Sequence, residues 1–99
     1  MTDFSPNDWI CTYYQENYYF GQILSLDAEE VEVLVDFLKE PGNNKKKSFT
    51  KENRSCYVPL GWILRKVPDP TFNKRKITWA SEVLEDCGKR FADFDLPVE

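Results

Sequence analysis

A chain of 99 residues with 41% hydrophobic, 15% aromatic and 30% charged residues has the size and composition of one globular domain. It contains no histidine and three widely spaced cysteines, Cys11, Cys56 and Cys87. This excludes the usual zinc patterns and the Cys–His and Ser–His–Asp catalytic arrangements, and leaves free thiols in a reducing compartment as the plain reading. No apolar run approaches the ~18 residues of a membrane span, and "MTDFSPNDW" lacks the basic and apolar regions of a signal peptide, so a soluble intracellular protein is expected.

The net charge of −4 conceals a strong segregation. Residues 1–38 hold eight acids and no Lys or Arg, whereas residues 39–76 hold eleven of the thirteen basic residues against three acids. The acidic C-terminal remainder restores the overall sign.

After a short tail over residues 1–6, "WICTYY" (9–14) reads as a strand, "QEN" as a three-residue turn, and "YYFGQILSL" (18–26) as a second strand. Gly21 marks a bulge or bend. If Tyr19, Gly21 and Ile23 share the inner face, Tyr18 and Phe20 point outward and offer an apolar partner surface. Cross-strand pairing of the rings would stabilise the hairpin without any ligand. In "EVEVLVDFL", Val31, Val33, Val35 and Phe37 alternate with Glu30, Glu32 and Asp36, the pattern of a half-buried strand. The acidic residues Glu29, Glu30, Glu32 and Asp36 make a negative face that would meet a basic tail or simply solvent.

Residues 39–55 read as a long, basic, mobile loop or hairpin tip. "CYVPLGWILRKV" (56–67) gives a short strand, a tight turn at "PLG" and another short strand. "PDP" breaks the chain, and residues 68–77 form a basic linker. From Thr78, an expected N-cap, Trp79, Val83, Cys87 and Phe91 recur every four residues, so a helix over 78–94 is expected to pack on the preceding strands. Gly88 would weaken or kink it. A short tail, 95–99, follows. The fold expected is mainly β, a small barrel of about five short antiparallel strands with a C-terminal α-helix.

"NDWICTYY", "YYFGQILSL", "VEVLVDF" and "CYVPLGWILRKV" together resemble the Tudor family of SH3-like barrels over residues 7–67. The order "VEVLVDFLK…F…YVP…ILRKV" is also similar to a Tudor-like module of mobile-element-associated animal proteins. The basic loop and the extra helix depart from the family pattern. The resemblance implies a non-catalytic, nuclear binding module without cofactor or metal, whose partner is a histone or other protein tail. Its cage for a methylated Lys or Arg would map to Tyr14, Tyr19 and Phe37, with Tyr18, Phe49 and Asp36 as further candidates, because cationic groups are attracted to aromatic faces.

A second function class rests on charge. Lys45, Lys46, Lys47, Lys51 and Arg54 on the loop, Arg65 and Lys66 on the last strand, and Lys74, Arg75 and Lys76 in the linker would form one positive face for DNA or RNA if the loop folds back on the linker. "KKK" and "KRK" would alternatively serve as nuclear-import signals. A third class is a protein–protein adaptor that docks by its exposed rings. No motif places a pair of acids for catalysis, so no enzyme is expected.

Overall fold

The structure, a computed structural model, describes residues 4–27, 29, 31–43 and 45–94. Strands β1 (Trp9–Tyr14), β2 (Asn17–Asp27), β3 (Glu32–Pro41), β4 (Lys51–Pro59) and β5 (Ile63–Val67) form one antiparallel sheet in the order β4-β3-β2-β1-β5. A flat sheet of this width would hold its edge strands about 19 Å apart. Yet β4 and β5, the two edges, are joined only by a 3₁₀ turn at Leu60–Trp62. Four residue steps reach at most about 14 Å, so the sheet must curl. The Thr12 hydroxyl, fully buried on β1, donates to the Trp62 carbonyl at 3.0 Å and fixes that closure. The fold is a small β-barrel-like domain with a C-terminal helix.

Inside the curl lie Ile10, Ile23, Val33, Val35, Phe37 and Val58. This face follows the expected alternation, with one exception. Val31 stands before the strand with φ 56° and is exposed, so β3 begins one residue later than the apolar pattern suggests. Glu30 lies outside the described residues.

The β1–β2 turn is tighter than expected. Tyr14 pairs directly with Asn17, leaving Gln15 and Glu16 as a two-residue turn, both with positive φ (48° and 63°). That is the signature of the type I′ turn, whose twist matches a hairpin. At Gly21 the β2–β3 register shifts, as expected of a bulge, and an added Cβ would lie 2.5 Å from Val35 Cγ1 and 2.9 Å from the Asp36 carbonyl oxygen.

A second core covers the outer face of β1 and β2. It contains Trp9, Cys11, Tyr18, Phe20, Leu38, Phe49, Val67, Ile77, Trp79, Leu84 and Cys87. This overturns the outward, partner-facing placement of Tyr18 and Phe20, because both rings are buried under chain that the sequence left as loop and linker. The region 39–55 is not one loop: β3 continues to Pro41, β4 starts at Lys51, and Phe49 between them bridges to Ile77. The supposed linker is a hairpin of β6 (Thr71–Asn73) and β7 (Lys76–Thr78), with Lys74 at φ 58° in its turn. Ile77 inserts into the core while its cross-strand neighbour Phe72 stays exposed.

Helix α1 (Ser81–Ala92) starts later than expected. Thr78 belongs to β7, and Ala80 occupies the cap position without a side-chain bond, because Trp79 is held in the core immediately before it. The stripe of Trp79, Val83, Cys87 and Phe91 does pack inward, joined by Leu84. Gly88 leaves the helix continuous and lets it approach Tyr18, whose hydroxyl would lie 3.3 Å from an added Cβ.

Asp86 ties the helix to the barrel at 2.7 Å from Arg65 of β5 and 2.8 Å from Arg90 one turn on. Hydrogen bonds from Arg90 and then Arg65 hold its carboxyl below the usual range. A depressed folded pKa contributes stability above the unfolded value, and this is lost as pH falls through the folded one. Asp86→Asn should therefore lower the thermal midpoint modestly at pH 7. The gap from the unmodified protein should close as pH falls below about 3.9, the ordinary Asp value. An equal gap at pH 7 and pH 2 would rule out the ion pairs as its source.

Burial, followed by the hydrogen bond to Cys87, pushes the Cys11 thiol up. Cys11 and Cys87 are both fully buried between β1 and α1, whereas Cys56 is half-exposed. Iodoacetamide should accordingly label Cys56 alone in the native protein and all three thiols in urea, read by intact mass. Labelling of Cys11 or Cys87 at the rate of Cys56 would mean that α1 does not cover β1.

Candidate functional site

The hairpin that opens the barrel distributes its five rings to three places. Tyr13 packs on Trp62 and Phe94, each 5.3 Å between centroids. Tyr18 packs on Phe91 at 5.0 Å, and Phe20 stacks on Trp79 at 4.5 Å. Tyr14 and Tyr19 turn the other way and meet Phe37.

In this trio Tyr14 stacks on Phe37 at 4.7 Å with an interplanar angle of 26°. Tyr19 stands nearly perpendicular to both, 6.1 Å from each centroid. The trio forms because Tyr14 ends β1, Tyr19 lies opposite Thr12, and Phe37 lies opposite Gly21, whose missing side chain leaves room for rings on either side. Phe37 is only 2% exposed, so it backs Tyr14 and does not wall a cavity. Stacked rings leave no gap for a cation between them. The accessible surface is the outer face of Tyr14 together with Tyr19, both half-buried.

A cation already rests there. Arg54 lies opposite Phe37 in the β3–β4 ladder, and its guanidinium carbon is 5.6 Å from the Tyr14 ring centroid. Its side chain is 45% exposed and reaches Glu52 at only 4.0 Å, so solvent competes with every contact it makes. The Tyr14 hydroxyl donates to Cys56 Sγ at 3.6 Å, which fixes the ring from behind.

Three of the expected cage residues therefore converge and three do not. Tyr18 is buried against the helix. Phe49 is fully buried in the second core, 5.1 Å from Phe20 and 5.7 Å from Trp79. Asp36 neighbours Phe37 in the strand, and strand alternation sends it to the opposite face. Sequence reasoning placed Arg54 with the nucleic-acid set and missed its partnership with Tyr14. The signal, Arg54 lying across from Phe37, depends on a register that only the β3–β4 pairing defines.

The basic residues also separate. Lys51, Lys74 and Arg75 gather with Lys39 around a surface cleft of about 520 Å³, whose floor includes Thr50, Phe72 and Ile77. The Phe49–Ile77 bridge, with backbone bonds of 2.8 and 2.7 Å in the two directions, brings these segments together. Lys76 sits at the hairpin tip beside Arg75. Lys45 and Lys47 line a different, smaller hollow near Tyr18 and Leu84, and Lys46 is exposed on the same loop. Lys66 is tied to Asp8 at 3.3 Å, and Arg65 to Asp86. The single positive face expected from the sequence is thus divided. Lys39 and Phe72 were not among the residues singled out, although Phe72 directly precedes "NKRK".

Among the described residues no helix is long and apolar enough to cross a membrane, and no three His, Cys, Asp or Glu side chains are placed to hold a metal ion. The class defined by fold and surface is a small β-barrel-like domain presenting an aromatic platform and a basic cleft. Comparison with protein-family models, curated sequences and solved structures finds no match to this chain.

Proposed function

We propose that the protein is a non-catalytic, Tudor-like recognition module. It binds a basic protein tail, such as a histone tail, by laying a Lys or Arg side chain on Tyr14 and Tyr19. The observation that carries this reading is the Arg54 guanidinium over the Tyr14 ring. A ring that attracts the chain's own weakly held cation is a surface on which an incoming cation is stabilised in the same way. Methylation favours the incoming group further, since a methylated ammonium or guanidinium is less strongly hydrated than Arg54 and loses less on leaving water. The platform is open, so each contact is worth about 0.5–1 kcal/mol, and the affinity expected is modest. A nuclear setting follows from the tail proposed as partner.

The test is an amide NMR titration with a trimethyl-lysine histone-tail peptide. Shifts should cluster at Tyr14, Tyr19 and Arg54. Tyr19→Ala should abolish them, and Arg54→Ala should tighten binding by removing the internal competitor. If Arg54→Ala weakens binding, Arg54 is a contact residue and the displacement mechanism is wrong; no shifts at either tyrosine would end the reading altogether.

A further inference from the structure

The cleft between β3, β4 and the β6–β7 hairpin has a composition that the tail-binding reading does not use. Four cations, Lys39, Lys51, Lys74 and Arg75, line it. None forms an ion pair among the described residues, whereas Arg54, Arg65, Lys66 and Arg90 each have a carboxylate within 4.0 Å. Glu40, next to Lys39 in the chain, is already engaged. Its carboxylate accepts from the Thr50 backbone N–H at 2.8 Å and from the Thr50 hydroxyl at 3.2 Å. Four positive charges against this one carboxylate leave a positive excess, which raises the local concentration of anions.

The second observation is the ring among them. Phe72 is 59% exposed, the highest of any large apolar side chain described. It is nonetheless oriented, because Trp9 holds it edge-on at 6.1 Å with an interplanar angle of 62°. Phe72 pairs directly with Ile77 and so shares its face of the hairpin, but Ile77 is buried while Phe72 stays largely exposed against Trp9. An acidic peptide needs the cations and has no use for an oriented, solvent-facing ring. A paired duplex keeps its bases stacked on one another and offers the ring nothing. Unpaired bases offer both phosphates for the cations and a π-face for the ring.

We infer that this cleft binds single-stranded nucleic acid, with Lys39, Lys51, Lys74 and Arg75 on the phosphates and a base stacked on Phe72. Recognition is of strand chemistry and carries little sequence preference. The site is independent of Tyr14 and Tyr19.

The experiment is fluorescence anisotropy with a labelled 12-nucleotide oligothymidine, its duplex with oligoadenine, and an oligoglutamate of similar charge, each across a salt series. The strand should bind more tightly than the other two. Four phosphate contacts predict a slope of about −3 for log K against log salt, at roughly −0.7 per contact. Lys74→Ala combined with Arg75→Ala should flatten the slope by about 1.4 on the same scale. Phe72→Ala should weaken the strand about 5- to 150-fold with the slope unchanged. All three substituted side chains are exposed, and circular dichroism verifies that the variants fold. Equal binding of duplex or oligoglutamate, or indifference to Phe72→Ala, would reduce the cleft to a non-specific charged patch. No binding of the strand at low salt would overturn the inference. Tyr19→Ala should leave strand binding intact, which separates failure here from failure of the tail-binding reading.

Discussion

Trp79→Ala should cost about 3–5 kcal/mol, the range for truncating a buried Trp or Phe. Trp79 is 8% exposed and sits where the second core joins its parts. It stacks on Phe20 of β2 at 4.5 Å and meets Trp9 of β1 and Phe49 at 5.7 Å each. Its indole N–H donates to the Pro68 carbonyl at 2.8 Å, so truncation also leaves that acceptor without its partner. A domain of this size has roughly 5–15 kcal/mol of total stability. Each kcal/mol lost shifts the midpoint by about 4–8 °C. Urea and thermal melts should therefore show a drop exceeding 10 °C, with Trp79→Phe falling in between. A loss under about 1 kcal/mol would show that α1 and the β6–β7 hairpin are appendages and not part of the folding unit.

This second core explains which parts of the architecture were legible beforehand. Elements that bury one face could be read: Val33, Val35 and Phe37 alternate cleanly because only one side of β3 is covered there. The helical stripe was legible for the same reason. Alternation fails where both faces are covered. Trp9 through Thr12 are all buried, because Ile10 and Thr12 serve the barrel interior while Trp9 and Cys11 serve the second core. Tyr18 and Phe20 looked outward for want of any local sign that a later segment would cover them. β4 was read as loop through residue 55 because "KENRS" carries charge and no apolar residue, a composition common on edge strands.

The candidate site divides along the same line. Tyr14, Tyr19 and Phe37 converge because hairpin and meander pairings follow from chain order. Phe49, Asp36 and Tyr18 were drawn toward them by proximity in sequence, and strand alternation together with the second core removed all three. The cleft was the least visible feature. Lys39 and Lys51 meet Lys74 and Arg75 only because one bridge, Phe49 to Ile77, spans a sequence separation that no local pattern encodes.

Phe49→Ala should cost a similar 3–5 kcal/mol and, beyond that, separate the two surfaces. Phe49 is fully buried, tilted against Phe20 at 5.1 Å, and its backbone exchanges both hydrogen bonds with Ile77. Losing the ring removes the packing that holds the β6–β7 hairpin against the barrel. The cleft, which needs Lys51 and the hairpin side by side, should lose affinity for a single strand. The Tyr14–Tyr19 platform lies on the other core and should keep its affinity for a cationic tail. Phe49→Leu, which retains most of the volume, keeps the measurement possible if the alanine variant fails to fold, with the same ordering of effects at smaller size. Trp79 and Phe49 touch, so the two alanine substitutions together should cost less than the sum of each alone. The decisive readout is the pair of affinities measured on one folded variant. A variant that binds the strand normally yet loses the tail would return Phe49 to the role of a wall beside Tyr14, and the division into two cores would have to be redrawn.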